Sequence, residues 1–236
     1  MSAMLEVEAL DAFYGRAQVL YGLELRVQKG EVVALVGRNG AGKSTTMKAV
    51  MGLLARVQGR RFFAGQDISK WSPHSIARAG LGYVPEERRI FTELTVEENL
   101  EVGRQPQRAG APCWTPERLF ELFPNLAELR RRPGGQMSGG EQQMLSIART
   151  LMGNPSTILL DEPSEGLAPV IVEQMAQTIN ALKDEGLTVL LSEQNLGFAA
   201  ALADRAYVIE SGHIRFDGSM QSLLEDEDLR QQHLSL

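Results

Sequence analysis

Hydrophobic and polar positions divide the chain into regions of different periodicity. In the first 30 residues, apolar and polar side chains alternate in part from Leu5 to Leu10 and from Val19 to Val27. Alternation with a period of two is typical of strands that bury one face. We therefore expect short strands of an antiparallel sheet here, joined by a further strand over Gly59–Phe63. This antiparallel part covers about residues 1–30 and 59–66.

From Glu31 onward, short and largely apolar runs alternate with stretches long enough for helices. Such runs are typical of parallel strands that are covered on both faces, and their alternation with helices indicates the α/β class. We expect an α/β fold built on a mainly parallel sheet. The runs are 31–36, Leu81–Pro85, Thr157–Leu160, Thr188–Ser192 and Ala206–Ile209.

The region between Thr95 and about Gly153 lacks strand patterns. Thr95-x-x-Glu98 has the spacing of a capping box, which predicts the start of a helix, and further helices are expected at 116–123 and 141–152. Residues 104–115 are predicted to form a loop. We interpret about 95–153 as a helical insertion within a single domain spanning residues 1–236.

Composition narrows the class of protein. Of the 236 residues, 43% are hydrophobic and 23% are charged, which is typical of a globular protein. No apolar run approaches the roughly 18 residues that span a bilayer, and the N-terminus lacks the basic start and apolar core of a signal peptide. The single cysteine, Cys113, excludes an internal disulfide, and the net charge of −6 argues against a nucleic-acid partner. These features predict a cytoplasmic location.

One segment matches the phosphate-binding pattern G-x-x-x-x-G-K-[ST] at every fixed position. It follows an apolar strand and opens a helix predicted from Lys43 to about Leu53. Glycines allow several backbone N–H groups to point at one anion, and the helix N-terminus adds positive potential. Lys43 is expected to contact the outer phosphates of ATP, and the Ser44 hydroxyl to bind Mg²⁺. The segment comprises Gly37, Arg38, Asn39, Gly40, Ala41, Gly42, Lys43, Ser44 and Thr45.

Two carboxylates end the apolar run that begins at Thr157. Asp161 is a candidate Mg²⁺ ligand, because a strand tip beside a phosphate loop can hold an acid near the metal. Side chains alternate along a strand, so Glu162 is expected to point elsewhere and to orient or deprotonate the attacking water. By itself, an apolar run followed by two acids is equally typical of a strand that enters a solvated turn.

A third motif, Ser138-Gly139-Gly140-Glu141, combines a capping box with two glycines. It predicts a second helix N-terminus able to bind an anion. With these three motifs the chain resembles, over its whole length, the ATP-binding cassette (ABC) family of transport ATPases. The resemblance implies a P-loop NTPase core and a head-to-tail dimer, in which the phosphate loop of one subunit and the Ser138–Gly140 segment of the other enclose each ATP. It also implies that Tyr14 stacks on adenine; the alternative is a buried hairpin tyrosine.

Three positions depart from the common pattern of this family. Glu86 stands where glutamine is usual, Gln194 where histidine is usual, and Ala168 where aspartate is usual. Gln194 can donate a hydrogen bond to the γ-phosphate but cannot carry a positive charge, and Glu86 can bind Mg²⁺ as a hard oxygen ligand. With the segments around them, these residues look like the branched-chain amino-acid uptake ATPases, and more narrowly like the smaller, LivF-type ATPase subunit.

The narrower resemblance implies an importer on the cytoplasmic side of the plasma membrane. Its expected partners are a second ABC ATPase subunit, two transmembrane permease subunits and, indirectly, an extracytoplasmic binding protein. A homodimer remains an alternative to the heterodimer. The loop Glu86–Thr92 mixes charged and apolar side chains and is expected to contact the permease, unless it is a plain charged loop.

Alternative functions are a urea or short-amide importer, a cassette ATPase that acts on nucleic acid or ribosomes, and a nucleotide-binding scaffold without turnover. The nucleic-acid class usually carries two cassettes or a long coiled-coil insertion, and this chain has neither. The scaffold alternative is prompted by Gln194 and Ala168, and measured ATP hydrolysis distinguishes it.

Overall fold

The computed structural model describes residues 3–234, which form two sheets and the helices around them. The strands are β1 (Ala3–Tyr14), β2 (Ala17–Gln28), β3 (Val32–Val36), β4 (Arg56–Phe63), β5 (Gln66–Asp67), β6 (Leu81–Val84), β7 (Thr157–Asp161), β8 (Thr188–Glu193), β9 (Arg205–Glu210) and β10 (His213–Ser219).

The α-helices range in length from about one turn to more than four turns. They are α1 (Lys43–Val50), α2 (Pro73–Ala79), α3 (Val96–Gly103), α4 (Pro116–Leu122), α5 (Pro124–Glu128), α6 (Gly139–Leu151), α7 (Pro169–Asp184), α8 (Leu196–Ala200), α9 (Met220–Glu225) and α10 (Glu227–His233). None of the helices in residues 3–234 has the length and apolar character needed to cross a membrane.

Strands β1, β2, β4 and β5 form the predicted antiparallel sheet, in the order β2-β1-β4-β5. The expectation of short strands was wrong, since β1 and β2 have 12 residues each. A bulge explains the broken alternation. Ala9 has a positive φ of 46° at a register shift of β1. Opposite it, Gly59 has a φ of 91°, and a Cβ there would lie 2.3 Å from the Ala9 carbonyl oxygen.

The second sheet has the order β10-β9-β3-β8-β7-β6, and its strands are parallel except at the β9–β10 pair. This confirms the predicted α/β class. Because β3, β6, β7 and β8 run in the same direction, their carboxyl ends meet at one edge of the sheet. The segments that follow these ends begin at Gly37, Pro85, Glu162 and Gln194, so the phosphate loop, Glu86, the acid pair and Gln194 converge there.

Alternate side chains of β3 enter two different hydrophobic cores. Val32, Ala34 and Val36 belong to a cluster that includes the helical insertion and α7. Val33 and Leu35 belong to a second cluster, which the antiparallel sheet and α1 complete. All five side chains are buried. The strand that leads into the phosphate loop is therefore fixed from both faces.

The helix behind the phosphate loop is shorter than the sequence indicated. It ends at Val50 and not near Leu53, because Gly52 adopts a left-handed φ of 69°. The buried Arg61 guanidinium of β4 also donates to the carbonyl oxygens of Ala49 and Val50. A side chain of the antiparallel sheet thus donates hydrogen bonds to carbonyl groups at the C-terminal end of α1, which lack partners within the helix.

Helices α3, α4, α5 and α6, with a short 3₁₀ turn at Gly134–Gln136, occupy the region predicted to be helical. Residues 104–115 form the expected loop. Arg108 in that loop donates to the carbonyl oxygens of Asn154 and Arg78, at 2.7 and 2.9 Å. The loop therefore joins the end of the α6 segment to the end of α2.

Candidate functional site

The phosphate loop lies between β3 and α1, and its glycines are required by its backbone. Gly40 and Gly42 have φ values of 78° and 115°, in the region that favours glycine. A Cβ on Gly37 would lie 2.4 Å from the carbonyl oxygen of Ile209, and one on Gly42 would lie 2.8 Å from Leu20 Cδ2. The loop can therefore curl closely, which directs its N–H groups toward an anion.

Lys43 is the first residue of α1, and its side chain is almost fully buried. Its Nζ donates to the carbonyl oxygens of Gly37 and Arg38, at 2.7 and 3.0 Å. The same Nζ lies 3.2 Å from Glu162 Oε1. The ammonium group is thus held within the phosphate loop, where its charge can act on the outer phosphates of a nucleotide.

Asp161 ends β7 and is buried, with only 1% of its surface exposed. Its two carboxylate oxygens accept hydrogen bonds from Ser192 Oγ at 2.7 Å and from Tyr83 Oη at 3.0 Å. These donors come from the two strands that flank β7, so they fix the carboxylate from both sides. Neither Tyr83 nor Ser192 was identified from the sequence. Ser192 lies opposite Asp161 in the sheet, and this register is seen only in the structure.

Oxygen donors suited to Mg²⁺ are present beside the phosphate loop. Ser44 is half-buried at the start of α1, Asp161 is fixed at the end of β7, and Glu86 follows β6. Residues 3–234 contain no group of three or more His, Cys, Asp or Glu side chains that could hold a metal. A hydroxyl and one or two carboxylates are the oxygen donors that Mg²⁺ typically takes from a protein when it is bound together with substrate phosphates. The residues therefore fit this metal.

Glu162 lies one residue beyond β7 in a left-handed conformation, with a φ of 47°. Its N–H donates to the carbonyl oxygen of Ser192 at 3.1 Å and contacts Ser192 Oγ at 3.2 Å. From this turn, which lies outside the strand, the Glu162 carboxylate reaches Lys43. A non-glycine residue held at positive φ costs about 1–3 kcal/mol, and such strain is concentrated at functional sites.

Two further carboxylates beside Glu162 have raised pKa values. Partial burial, then the negative charges of Glu162 and Asp161, raise the pKa of Glu86. A hydrogen bond to Glu162, then burial and the charges of Glu162 and Glu86, raise the pKa of Glu165 to about 7. Glu165 was not identified from the sequence. Both shifts reflect the clustering of acidic side chains around Glu162.

Gln194 is exposed just after β8 and lines a small cleft together with Glu162. Gln194, the predicted γ-phosphate contact, and Glu162, the predicted water-activating acid, thus lie at the same cleft. Tyr14 ends β1 and remains 49% exposed, so it is not the buried hairpin tyrosine considered as an alternative. Its stacking on adenine remains a prediction.

Ser138, Gly139 and Gly140 begin α6 as expected. The capping box is present: Glu141 N donates to Ser138 Oγ, and Ser138 N donates to Glu141 Oε2 at 2.7 Å. Within residues 3–234, no hydrogen bond or ion pair joins this segment to the phosphate loop. A Cβ on Gly139 would instead meet the Arg88 side chain. The two segments predicted to bind anions are therefore separate in the part of this chain that the structure describes.

The geometry defines a P-loop nucleotide-binding fold with an acid pair beside the phosphate loop and a separate glycine-capped helix. The sequence profile of the family described as ABC transporter matches residues 20–165. That match covers more than half of the chain. The chain therefore belongs to the ABC transporter family, as an ATPase subunit. This family hydrolyses ATP, generally with Mg²⁺.

The curated relatives match over nearly their full length. The chain is 42% identical over 231 residues to the high-affinity branched-chain amino acid transport ATP-binding protein BraG of Pseudomonas aeruginosa, covering 98% of this chain and 99% of BraG. It is 35% identical to the probable branched-chain amino acid transport ATP-binding protein LivF of Archaeoglobus fulgidus, covering 95% of each. The lipopolysaccharide export system ATP-binding protein LptB of Haemophilus influenzae is 36% identical, covering 98% and 97%.

Among solved structures, MJ1267, an ATP-binding cassette of an ABC transporter, superimposes with a TM-score of 0.83. The match has 29% sequence identity and covers 98% of each chain. This confirms the predicted fold class, including the antiparallel part and the helical insertion.

Proposed function

We propose that this chain powers the import of branched-chain amino acids through a membrane transporter. The observation that carries the proposal is the identity of 42% with BraG over nearly the whole of both chains, against 36% with LptB. The segments around Glu86, Ala168 and Gln194 support it, because they resemble branched-chain uptake ATPases. Lipopolysaccharide export is a second candidate, since LptB is about as similar to the chain as LivF is.

At the proposed site, Lys43 and the backbone N–H groups of the phosphate loop bind the phosphates and stabilise charge on the transferring phosphoryl group. Mg²⁺, when bound through Ser44, Asp161 and Glu86, would neutralise phosphate charge. The Glu162 carboxylate orients the attacking water and accepts its proton. Gln194 donates a hydrogen bond to the γ-phosphate. In the dimer, Ser138, Gly139 and Gly140 of one subunit complete the site of the other.

A groove of about 580 Å³ supports a permease-binding role for the segment 86–92. Leu53, Phe91 and Val102 line it and are 46–53% exposed. Arg149 also lines the groove, with its guanidinium 5.2 Å from the centre of the Phe91 ring. An exposed apolar surface of this kind suits an amphipathic segment of a partner protein. We assign this groove to a transmembrane permease subunit.

The complete assembly proposed here has this chain, a sister ATPase and two permease subunits on the cytoplasmic side of the membrane, fed by an extracytoplasmic binding protein. A homodimer of this chain is the alternative ATPase arrangement. ATP binding closes the dimer and hydrolysis reopens it, as a rigid-body change.

The proposal is tested by purifying the transporter through a tag on this chain and reconstituting it in liposomes with its binding protein. Leucine, isoleucine or valine should stimulate ATP hydrolysis and accumulate inside. Urea, short amides and lipopolysaccharide are tested separately as alternative substrates. Stimulation by one of these, with no response to the branched-chain amino acids, would contradict the proposed cargo and leave the ATPase assignment intact.

A further inference from the structure

The carboxylate of Glu193, at the end of β8, connects two loops of the candidate site. Its Oε1 accepts a hydrogen bond from the N–H of Ser164, and its Oε2 accepts one from the N–H of Asn195, both at 3.1 Å. Glu193 is only 2% exposed. A single buried side chain therefore holds two backbone segments that are about 30 residues apart in sequence.

These two segments carry the groups assigned to the chemistry. Ser164 lies two residues after Glu162, in the turn from which the Glu162 carboxylate reaches Lys43. Gln194 stands between Glu193 and Asn195, so the backbone is fixed on both sides of it. Glu162 and Gln194 line the same cleft of about 270 Å³. The Glu193 carboxylate therefore joins the two segments that carry these groups.

Burying a carboxylate at this position is unfavourable in free energy, so its presence there indicates a role. Within residues 3–234, Glu193 forms no ion pair, and burial raises its pKa, as does the charge of Glu162. Burying a carboxylate without a cation is unfavourable. A glutamine would accept on one oxygen only, and its NH₂ group would face a backbone donor. The carboxylate is the side chain of this length that satisfies both N–H groups.

The backbone of the same residue extends the connection to the phosphate loop. The carbonyl oxygen of Glu193 accepts a hydrogen bond from the N–H of Gly37 at 3.3 Å. Glu193 thus contacts the start of the phosphate loop, the turn after Glu162 and the loop that carries Gln194. A buried carboxylate without a cation departs from the usual pattern of protein interiors, and such departures are typically found at functional sites.

We infer that Glu193 is a positioning residue for ATP hydrolysis, which holds Glu162 and Gln194 in a fixed relation to the phosphate loop. The inference rests on ATP hydrolysis at this site and is independent of the transported substrate. A displacement of about 1 Å in such a constellation lowers the rate by roughly 100-fold. Binding of the nucleotide depends on other contacts, so it should be largely preserved.

The main test compares Glu193→Gln with the wild type, both as the full chain and in the assembled transporter. We expect kcat for ATP hydrolysis to fall roughly 10- to 100-fold, while the Kd for ATP, measured with a fluorescent analogue, changes less than about twofold. Thr188→Val is the matched control, because Thr188 is a buried residue of the same strand whose Oγ1 accepts a hydrogen bond from Gly30, away from the site. It should leave kcat unchanged.

Two further measurements separate positioning from general damage. In the background of Glu162→Gln, adding Glu193→Gln should lower the residual rate little further, because groups that act together are not additive. Backbone hydrogen exchange should rise in peptides covering 162–168 and 194–199, and Glu193→Asp provides a second variant should the glutamine variant not fold. An unchanged kcat, or losses that add fully in the double variant, would overturn the inference. Absence of ATP hydrolysis by the wild type would instead contradict the proposed function itself.

Discussion

Lys43 and Glu162 show how individual charges in the site depend on one another. They lie 3.2 Å apart, and their side chains are only 2% and 9% exposed. At this burial, removal of one partner leaves the other uncompensated. The two substitutions should nevertheless have different consequences, because the proposed roles of the two groups differ.

Lys43→Ala should weaken ATP binding and abolish hydrolysis, since the phosphates lose their closest fixed cation. Glu162→Gln should retain ATP and lower kcat by about 100-fold or more, because the amide keeps the shape of the side chain but cannot accept a proton. Equilibrium binding and single-turnover hydrolysis distinguish the two variants. Near-normal turnover in either would remove that residue from the mechanism.

The raised pKa of Glu165, about 7 against an ordinary value of 4.5, predicts a pH dependence of stability. Between these values the folded chain holds a proton on Glu165 that the unfolded chain has released. The native state then binds more protons, so the free energy of unfolding decreases as the pH rises through this window. The charges that act on Glu165 are Glu162, Glu86 and, in the opposite direction, Lys43.

Glu165→Gln should therefore flatten the decline in stability between about pH 5 and pH 7.5, measured by urea unfolding without nucleotide. Glu173→Gln, which changes an exposed carboxylate of α7, serves as the control and should keep the wild-type slope. Equal slopes in wild type and Glu165→Gln would show that Glu165 does not titrate in this window.

The sequence predicted the phosphate loop from its local spacing, and it predicted the acid pair only once the Ser138–Gly140 motif was taken into account. It missed Tyr83 and Ser192, which hold Asp161, since their importance depends on which strands are neighbours in the sheet. Glu193 was missed for a related reason. A single acid at the end of an apolar strand has no local signal, and its two partners lie in separate loops.

At the scale of elements, helix starts were more predictable than helix ends. Capping boxes at Thr95 and Ser138 are both present, because these bonds join residues three positions apart. The end of α1 was predicted too late, since it depends on Arg61 from another sheet. Strand β10 and helices α9 and α10 were not predicted, and α7 was overlooked although Pro169 marks its first turn.

The contact between Arg61 and α1 gives a prediction for this pair of elements. Arg61 is 4% exposed, and it donates to Ala49, Val50 and the carbonyl oxygen of Ser69. Arg61→Met should lower the free energy of unfolding by about 2–4 kcal/mol, because buried carbonyl groups lose their donors. Urea denaturation measures this loss.

The neighbouring Arg60 offers a matched control for that experiment. Its side chain is 61% exposed and forms surface ion pairs with Glu8 and Asp67. Arg60→Met should therefore cost less than about 1 kcal/mol. A loss from Arg61→Met no larger than that from Arg60→Met would show that the guanidinium is not needed to hold α1.

At the scale of the whole molecule, the groove around Phe91 lies where the helical insertion meets the parallel sheet. Phe91 is held by the buried Asn99, which accepts from its N–H and donates to its carbonyl oxygen at 3.0 and 2.9 Å. Phe91→Asp should prevent assembly with the permease subunits while the ATPase activity of the chain alone is preserved, because the backbone contacts remain. Co-purification with the permease measures assembly.

The control for this surface is Tyr21→Asp. Tyr21 is 41% exposed, but it lies on the antiparallel sheet and stacks on His213. This variant should assemble normally. Loss of assembly in both variants would indicate a general effect of a new charge, and normal assembly of Phe91→Asp would exclude the groove as the docking site.

In the proposed head-to-tail dimer, each ATP site would be formed by two chains, because the phosphate loop and Ser138 of one chain are separate. With a sister ATPase, one site would combine the phosphate loop and Gln194 of this chain with the partner's helix. The other would combine the partner's phosphate loop with Ser138, Gly139 and Gly140 of this chain. If the partner keeps the usual histidine, the second site hydrolyses ATP faster, since Gln194 cannot act as a cation.

Ser138→Arg should then reduce transport more than Gln194→Ala does. The bulk of arginine blocks anion binding at the faster site, whereas Gln194→Ala alters the site that is already slower. Ser138→Ala is the control, because it also removes the helix cap, which is worth about 1 kcal/mol, but adds no bulk. It should reduce transport less than Ser138→Arg does. Transport and ATPase assays on the reconstituted complex measure both effects. A larger loss from Gln194→Ala would reverse the assignment of the faster site.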